Sequence, residues 1–420
     1  MKINASFFIA IRYLWGRAHE GVRYLRGAAA GIAVSLVPII VTLIVADGMI
    51  RGITDRYIEL GTGHLQVIDY NDYSGQDETI RFINEAGNIK GIWQEQRGMG
   101  VLAGKSGKTG VTVRAIDPSF WDDPSSASFL KVLDGVNKPE TSRDIVLGET
   151  LARNLGVKPG DNVRLMTVTP ADEGRMSPKT AQFIVRGITS CGYNELDALW
   201  CIINYEGARR VFSADQSPTY VVKIDDPYKK ADSIAWELHN KLPASYSIYT
   251  WKDLLSSQYS SYRMTRQLLL FIMALIVIVA AVNVSSATSM LALERQKDIA
   301  VLKVTGASVK GVSNIFLWGS FLTGLIGGFI GVAAGLLIGR FINEILMFLE
   351  KLINFFSGLF RGREIRILDP GFYLETIPII IDWGAVLIIW LFTILCSVIA
   401  SLIPAAKAGK LKPMVLLRKT

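Results

Sequence analysis

The sequence predicts a polytopic α-helical membrane protein with four transmembrane helices and a large α+β domain on the outer side. Three observations carry this prediction. Four windows, 27–46, 267–293, 311–339 and 383–406, contain no Asp, Glu, Lys or Arg. Lys and Arg gather beside those windows on alternate sides. The long stretch between the first two windows changes to period-two apolar patterning.

Each window reaches the roughly 20 helical residues needed to cross about 30 Å of hydrocarbon. The first follows the amphipathic "FFIAIRYLWGRAHEGVRYLRG"; it is longer than a signal-peptide core and has no convincing small-residue cleavage site, so it reads as a retained span. Basic residues precede span one (Lys2, Arg12, Arg17, Arg23, Arg26), separate spans two and three (Arg295, Lys297, Lys303, Lys310) and follow span four (Lys407, Lys410, Lys412, Arg418, Lys419). With four crossings these regions share one side, which the positive-inside rule makes the cytoplasm. The formal charge of +8 is then mostly topology, and no nucleic-acid partner is needed to explain it.

The predicted organisation is an amphipathic cytoplasmic segment 1–26, spans 27–46, 266–293, 311–339 and 383–406, an outer domain 47–265, a cytoplasmic segment 294–310, an outer segment 340–382 and a tail 407–420. In the outer domain "HLQVIDY", "GVTVRAI", "DNVRLMTV" and "AQFIVRGI" alternate apolar and polar residues between turn signals, and "KKADSIAWELHNKL" reads as a helix. Its length suffices for a core of its own. The segment "FINEILMFLEKLINFFSGLF" either extends span three or lies along the membrane surface. Cys191 and Cys201 flank "GYNELDALW" and are either a disulfide across a hairpin or two buried thiols; Cys396 is a small filler in span four.

Several motifs fail. "GMGVLAGKSGKTG" contains "GKS" and "GKT", but a phosphate loop needs Gly where Met99 and Leu102 stand. His19, His64 and His239 lack ligand spacing, so no metal site is expected, and no nucleophile elbow occurs. This favours a transporter subunit or receptor over an enzyme. In span three Gly327, Gly331, Gly335 and Gly339 recur every four residues, with Gly324 and Gly328 on a nearby stripe. The ladder lets helix backbones approach closely, either as a sliding seam or as static packing.

The segment "LERQKDIAVLKVTGAS", 293–308, combines good helix formers with a stop at Gly306 and a new start at Ser308. Leu291, Leu293, Ile299 and Leu302 offer apolar contacts beside charges of both signs. It is either a helix that docks into a soluble partner or a solvated turn.

This segment resembles the coupling region of the MacB and FtsX class of ABC-transporter permeases, roughly E-R-x-x-E-I-x-x-L-K-x-x-G-A-S, with Asp298 in place of the second Glu. "FFIAIRYLWGRA" resembles the elbow helix of the lipoprotein-releasing Lol subfamily. "GVTVRAIDPSFW" and "IVLGETLARNLGVKPGDNVRLM" resemble its MacB-like periplasmic strands, and "ILDPGFYLETIPIIIDW" the segment before its last helix.

The resemblance implies a non-catalytic subunit in a bacterial inner membrane. It implies a second permease, identical or paralogous, and a cytoplasmic ABC ATPase dimer that holds the ATP and Mg, with no cofactor on this chain. The work implied is extraction of triacylated lipoproteins from the outer leaflet and their transfer to a periplasmic carrier. The same architecture serves MacB-like efflux or peptide-resistance systems and FtsX-like control of a cell-wall hydrolase. On the Lol reading Glu294, Arg295, Asp298 and Leu302 meet the ATPase. Val41, Ile44, Val45 and Met49, facing Leu270, Phe271 and Ala274, form the lipoprotein path beside membrane lipid. The stretch "TVTPADEGRMSPKTAQ", 167–182, is expected to join two strands through a loop longer than a usual hairpin; Pro170, Arg175, Met176 and Pro178 there contact the carrier, as a hook does in the Lol subfamily.

Overall fold

In the computed structural model, residues 3–15, 21–70, 76–85, 89–170, 176–213, 217–359, 374 and 376–411 are described. In chain order these contain α1 (Ile3–Trp15), α2 (Gly21–Arg56), β1 (Leu65–Asp69), α3 (Gln76–Glu85), β2 (Ile89–Ala103), β3 (Lys108–Ile116), α4 (Pro124–Phe129), β4 (Lys131–Gly135) and β5 (Asp144–Gly148). Then follow α5 (Glu149–Leu155), β6 (Asn162–Pro170), β7 (Met176–Ser190), α6 (Asn194–Leu199), β8 (Trp200–Asn204), β9 (Thr219–Ile224), α7 (Pro227–Lys241), β10 (Tyr246–Thr250) and α8 (Trp251–Leu254). The last five are α9 (Ser256–Glu294), α10 (Gln296–Val304), α11 (Val309–Arg340), α12 (Ile342–Leu359) and α13 (Trp383–Lys410). The chain divides into two compact units: Met1–Gly48, Arg263–Phe356 and Pro378–Thr420 form one, and Met49–Tyr262 with Ser357–Ile377 the other.

The first unit is helical. Among the described residues, four helices are long and apolar enough to cross a membrane, in the segments Tyr24–Thr62, Ser256–Glu294, Val309–Arg340 and Trp383–Lys410. The glycine ladder of α11 is a seam against α2. A Cβ on Gly327 would lie 2.5 Å from the Ala29 carbonyl oxygen, and one on Gly331 2.8 Å from that of Ala33. Gly335 and Gly339 instead receive the side chains of Ile40 and Ile44, while Gly324 and Gly328 receive Ser397 and Trp390 of α13. Close backbone approach replaces the hydrophobic drive that lipid removes. Thr288 of α9, buried, hydrogen-bonds Ser320 of α11 at 3.0 Å. On α1, Phe7 packs edge-on against Trp318 at 5.0 Å.

The second unit is α+β. Among the described residues its strands form one mixed sheet, ordered β10-β1-β9-β2-β3-β8-β5-β7-β4, with β6 joining β2 to β7. β2 changes partner along its length, pairing with β9 up to Glu95 and with β6 from Gly100. Consequently β2, β3, β8, β5, β7 and β6 close into a ring. Its interior holds Leu102, Val113, Leu147, Leu165, Phe183 and Ile203. The remaining strands carry a second core, with Ile83 of α3, Leu238 of α7 and Trp251.

The helix that begins as α2 ends in a π-helical turn, Tyr57–Thr62, whose carbonyls are capped by side chains. Arg114 donates to the Leu60 carbonyl and to both oxygens of Glu95, and the Arg97 Nη2 donates at 2.7 Å both to the Gly61 carbonyl and to Glu95. Burial alone would raise the Glu95 carboxyl, but the two guanidinium groups outweigh it and hold it below the usual range. A helix C-terminus carries partial negative charge, so two arginines there are favourably placed.

Alternation along β8 settles the cysteine question. Cys201 and Ile203 enter the ring interior, whereas Ile202 and Cys191 belong to a cluster on the opposite face. The two thiols are free and buried on different sides of the sheet, Cys191 donating to the Tyr193 carbonyl and Cys201 to that of Thr112.

Candidate functional site

Three regions bear the predicted contacts, two in the helical unit and one in the α+β unit. The cytoplasmic segment is a separate short helix, α10. It ends with Gly306 at φ +97°, the Gly306 N–H bonded to the Lys303 carbonyl and the Ala307 N–H to that of Leu302. This double closure requires a left-handed residue, which glycine supplies without strain. Ser308 then caps α11, its Oγ accepting from the Gly311 N–H at 3.1 Å. Glu294 closes α9 and is exposed; Arg295 and Asp298 pair at 3.2 Å. Ile299 is 1% exposed, packed with Leu25, Leu291 and Phe316. Leu302, the predicted anchor, is half-buried. Val301 and Val304, at 59% and 69% exposure, present the apolar surface instead, together with Leu293. Sequence reading missed both valines, because in a short helix of mixed charge the face that packs inward is fixed by distant partners.

The predicted lipoprotein path is only partly gathered. Ile44 fills the gap left by Gly339 and is withdrawn from any open wall. Val41, Val45 and Met49 on the same helix are half-buried. Near this level of α9, Met273 and Val277 are buried, while Leu270 and Phe271 are exposed and Ala274 is half-buried. One turn before Leu270 stands a residue the sequence reading did not single out. Arg266 reaches Asp47 at 2.9 Å and Asp382 at 2.7 Å, tying the outer ends of three spans together. Asp382 is also the N-cap of α13, accepting from the Ala385 N–H at 3.1 Å. A signal was available: each of the three charges stands one residue outside a charge-free window. An apolar groove of about 420 Å³ lies nearer the cytoplasmic end, lined by Arg26, Ala29, Ala33, Val34, Ile326 and Ile330.

The carrier region requires a correction. The connection between β6 and β7 is not a long loop, because pairing continues outward to Pro170↔Met176 and leaves five residues, 171–175, between the strands. Arg175 lies outside the described residues. Pro178 is a strand residue opposite Val168, tolerated because β7 pairs on its other side only from Ile184 onward among the described residues. Strand alternation then builds a surface. Val168 is 60% exposed, and the β2–β6 register, Gly100↔Thr167, sets it opposite Met99, which is 84% exposed. Val101 pairs with Met166 and Thr180 in the next row, and Arg164 with Gln182 beyond it. The Met99, Val101 and Val168 side chains lie exposed beside the hairpin and take no part in the ring's core.

Comparison with known proteins fits this geometry. The MacB-like periplasmic core domain family matches residues 27–234, and the FtsX-like permease C-terminal family matches residues 270–413. The lipoprotein-releasing system transmembrane protein LolC of Xylella fastidiosa is 28% identical over 423 residues, 98% of each chain. LolE of Haemophilus influenzae is 25% identical, again over 98% of each chain. Among solved structures, the extracellular domain of the noncanonic ABC-type transporter YknZ from Gram-positive bacteria aligns with 44% of this chain at 13% identity and a TM-score of 0.30, too loose to carry an argument. Four membrane-spanning helices, a region matching the MacB-like periplasmic core domain after the first and a region matching the FtsX-like permease C-terminal domain over the rest make the chain an ABC-transporter permease, a multi-pass inner-membrane protein similar end to end to the Lol subfamily.

Proposed function

We propose that this chain is the permease of a lipoprotein-releasing transporter: it extracts triacylated lipoproteins from the outer leaflet and passes them to a periplasmic carrier. A cytoplasmic ATPase docked on Glu294, Asp298, Val301 and Val304 drives the cycle. End-to-end similarity to both LolC and LolE supports this reading, and one observation carries it: the exposed row Met99–Val168–Pro178 beside the β6–β7 hairpin, continued by exposed Val101 next to half-buried Met166. Moving acyl chains into water costs about 0.8 kcal/mol per CH₂, so release needs an apolar receiver at the outer domain. The carrier supplies that receiver. The second permease is either identical or a paralogue, as LolC and LolE match this chain almost equally.

The experiment is purification in mild detergent followed by reconstitution. The expected result is co-purification of a separate ATPase, a second permease and acylated protein, with ATP-dependent transfer of that protein to a soluble carrier. Co-purification of an outer-membrane tunnel with its adaptor, or of a murein hydrolase, with no acylated protein bound, would overturn the reading.

A further inference from the structure

From the placement of α12 we infer an interaction surface for the outer leaflet of the bilayer, one that takes zwitterionic phospholipid through apolar contact alone. At 3.6 residues per turn, Ile342, Ile345, Phe348, Leu349, Leu352 and Ile353 fall on one side of α12 and span roughly 140° of its circumference. Asn343, Glu344, Glu350, Lys351 and Asn354 take the other, with Met347 the one exposed apolar residue among them. Beyond the buried Ile342 and half-buried Ile345 the apolar side is uncovered: Phe348 is 64% exposed, and Leu349, Leu352 and Ile353 are exposed as well.

What covers it follows from position. Span three ends at Arg340, and Phe341 alone separates it from α12. The α12 helix therefore starts where the chain leaves the hydrocarbon. Leu337, Ile338 and Phe341, exposed at the end of that span, run directly into the apolar side of α12, so one lipid-facing surface continues from span to helix. Trp383, exposed at the outer start of span four, suits the headgroup level. The polar side carries two acids, Glu344 and Glu350, against one base, Lys351, a net charge of −1. Helices drawn to anionic lipid are rich in Lys and Arg, and this one is not, so apolar burial drives its contact and anionic headgroups add nothing. Docked in this way, α12 fixes the height of span three in the outer leaflet. The inference rests on topology and does not depend on the cargo.

The test uses the full chain in phosphatidylcholine nanodiscs, with nitroxide labels introduced singly at Phe348→Cys, Leu352→Cys, Glu344→Cys and Lys351→Cys. Label at Phe329→Cys, exposed within span three, reports correct insertion, and a mock reaction of the parent chain accounts for its own thiols. Accessibility to oxygen relative to a water-soluble nickel chelate is expected to be severalfold higher at Phe348 and Leu352 than at Glu344 and Lys351. Replacing part of the lipid with phosphatidylglycerol is expected to leave the ratios unchanged. High nickel access at all four sites beside a bilayer-like Phe329 would show the helix standing in water. Shielding of Phe348 and Leu352 from both reagents would show a second copy or other protein on this face, and a rise with phosphatidylglycerol would show charge-driven contact; each overturns the inference.

Discussion

Single residues decide how the cytoplasmic segment divides between holding itself in place and meeting a partner. Ile299 and Leu291 are buried with Phe316, so a charge at either position would unfold the segment before it tested any contact. Val304 stands in the opposite situation, with nothing but solvent over most of its surface. Val304→Asp is therefore expected to leave insertion and abundance intact while lowering association with the ATPase roughly tenfold or more, the size of one interface anchor. Co-purification of the ATPase from detergent, with Ile299→Asp as the unfolding control, measures this. Normal ATPase recovery and normal coupled turnover for Val304→Asp would remove α10 from the interface. The charged trio at the outer rim belongs to the same scale. Arg266 holds two carboxylates, and removing it leaves both Asp47 and Asp382 without the cation that joins their helices.

At the scale of elements, the α11 ladder makes a sharper statement than its spacing does. Four-residue periodicity shows that some helix approaches closely; the structure identifies α2 as that helix and shows backbone against backbone. A methyl on Gly331 would press on the Ala33 carbonyl, with no flexible side-chain end to yield. A Cβ on Gly27, nearer the start of the partner helix, would meet nothing within 4 Å. Gly331→Ala is expected to destabilise the α2–α11 pair by about 1–3 kcal/mol, the usual cost of overpacking, and Gly27→Ala to be neutral or mildly stabilising. Thermal inactivation in detergent distinguishes them, and equal behaviour of the two variants would show that the seam gives way freely. The spans were legible because charge-free windows of this length have few other uses. Strands were legible as strands, since alternation is local. The closed ring was not, because β2 changes partner between Glu95 and Gly100 and nothing near those residues records β6. The cysteines show the same limit: their spacing suits a hairpin, and only the faces of β8 separate them.

For the whole molecule the question is how the α+β unit reaches a partner, and here the corrected hairpin changes the experiment. Replacing 170–178 with a short turn would remove the paired rungs Pro170↔Met176, Thr169↔Ser177 and Val168↔Pro178, so lost binding would not separate a lost contact from a frayed ladder. The outward row permits a cleaner change. Met99 and Val168 face solvent on adjacent strands, while their neighbours Leu165 and Leu102 point into the ring and hold it closed. Substituting the pair by Met99→Asp and Val168→Asp leaves every backbone pairing and every interior contact in place. Two exposed charges also cost the fold little, because surface substitutions of this kind usually fall within about 0.5 kcal/mol. Binding to a carrier whose own surface is apolar is a different matter, since each carboxylate must be desolvated to dock. The full-length double variant is expected to match the parent in melting temperature and ATPase association, and to bind the soluble carrier at least about tenfold more weakly. Unchanged carrier affinity in a folded, ATPase-bound variant would move the contact away from the β2–β6–β7 face and leave the rows without a role.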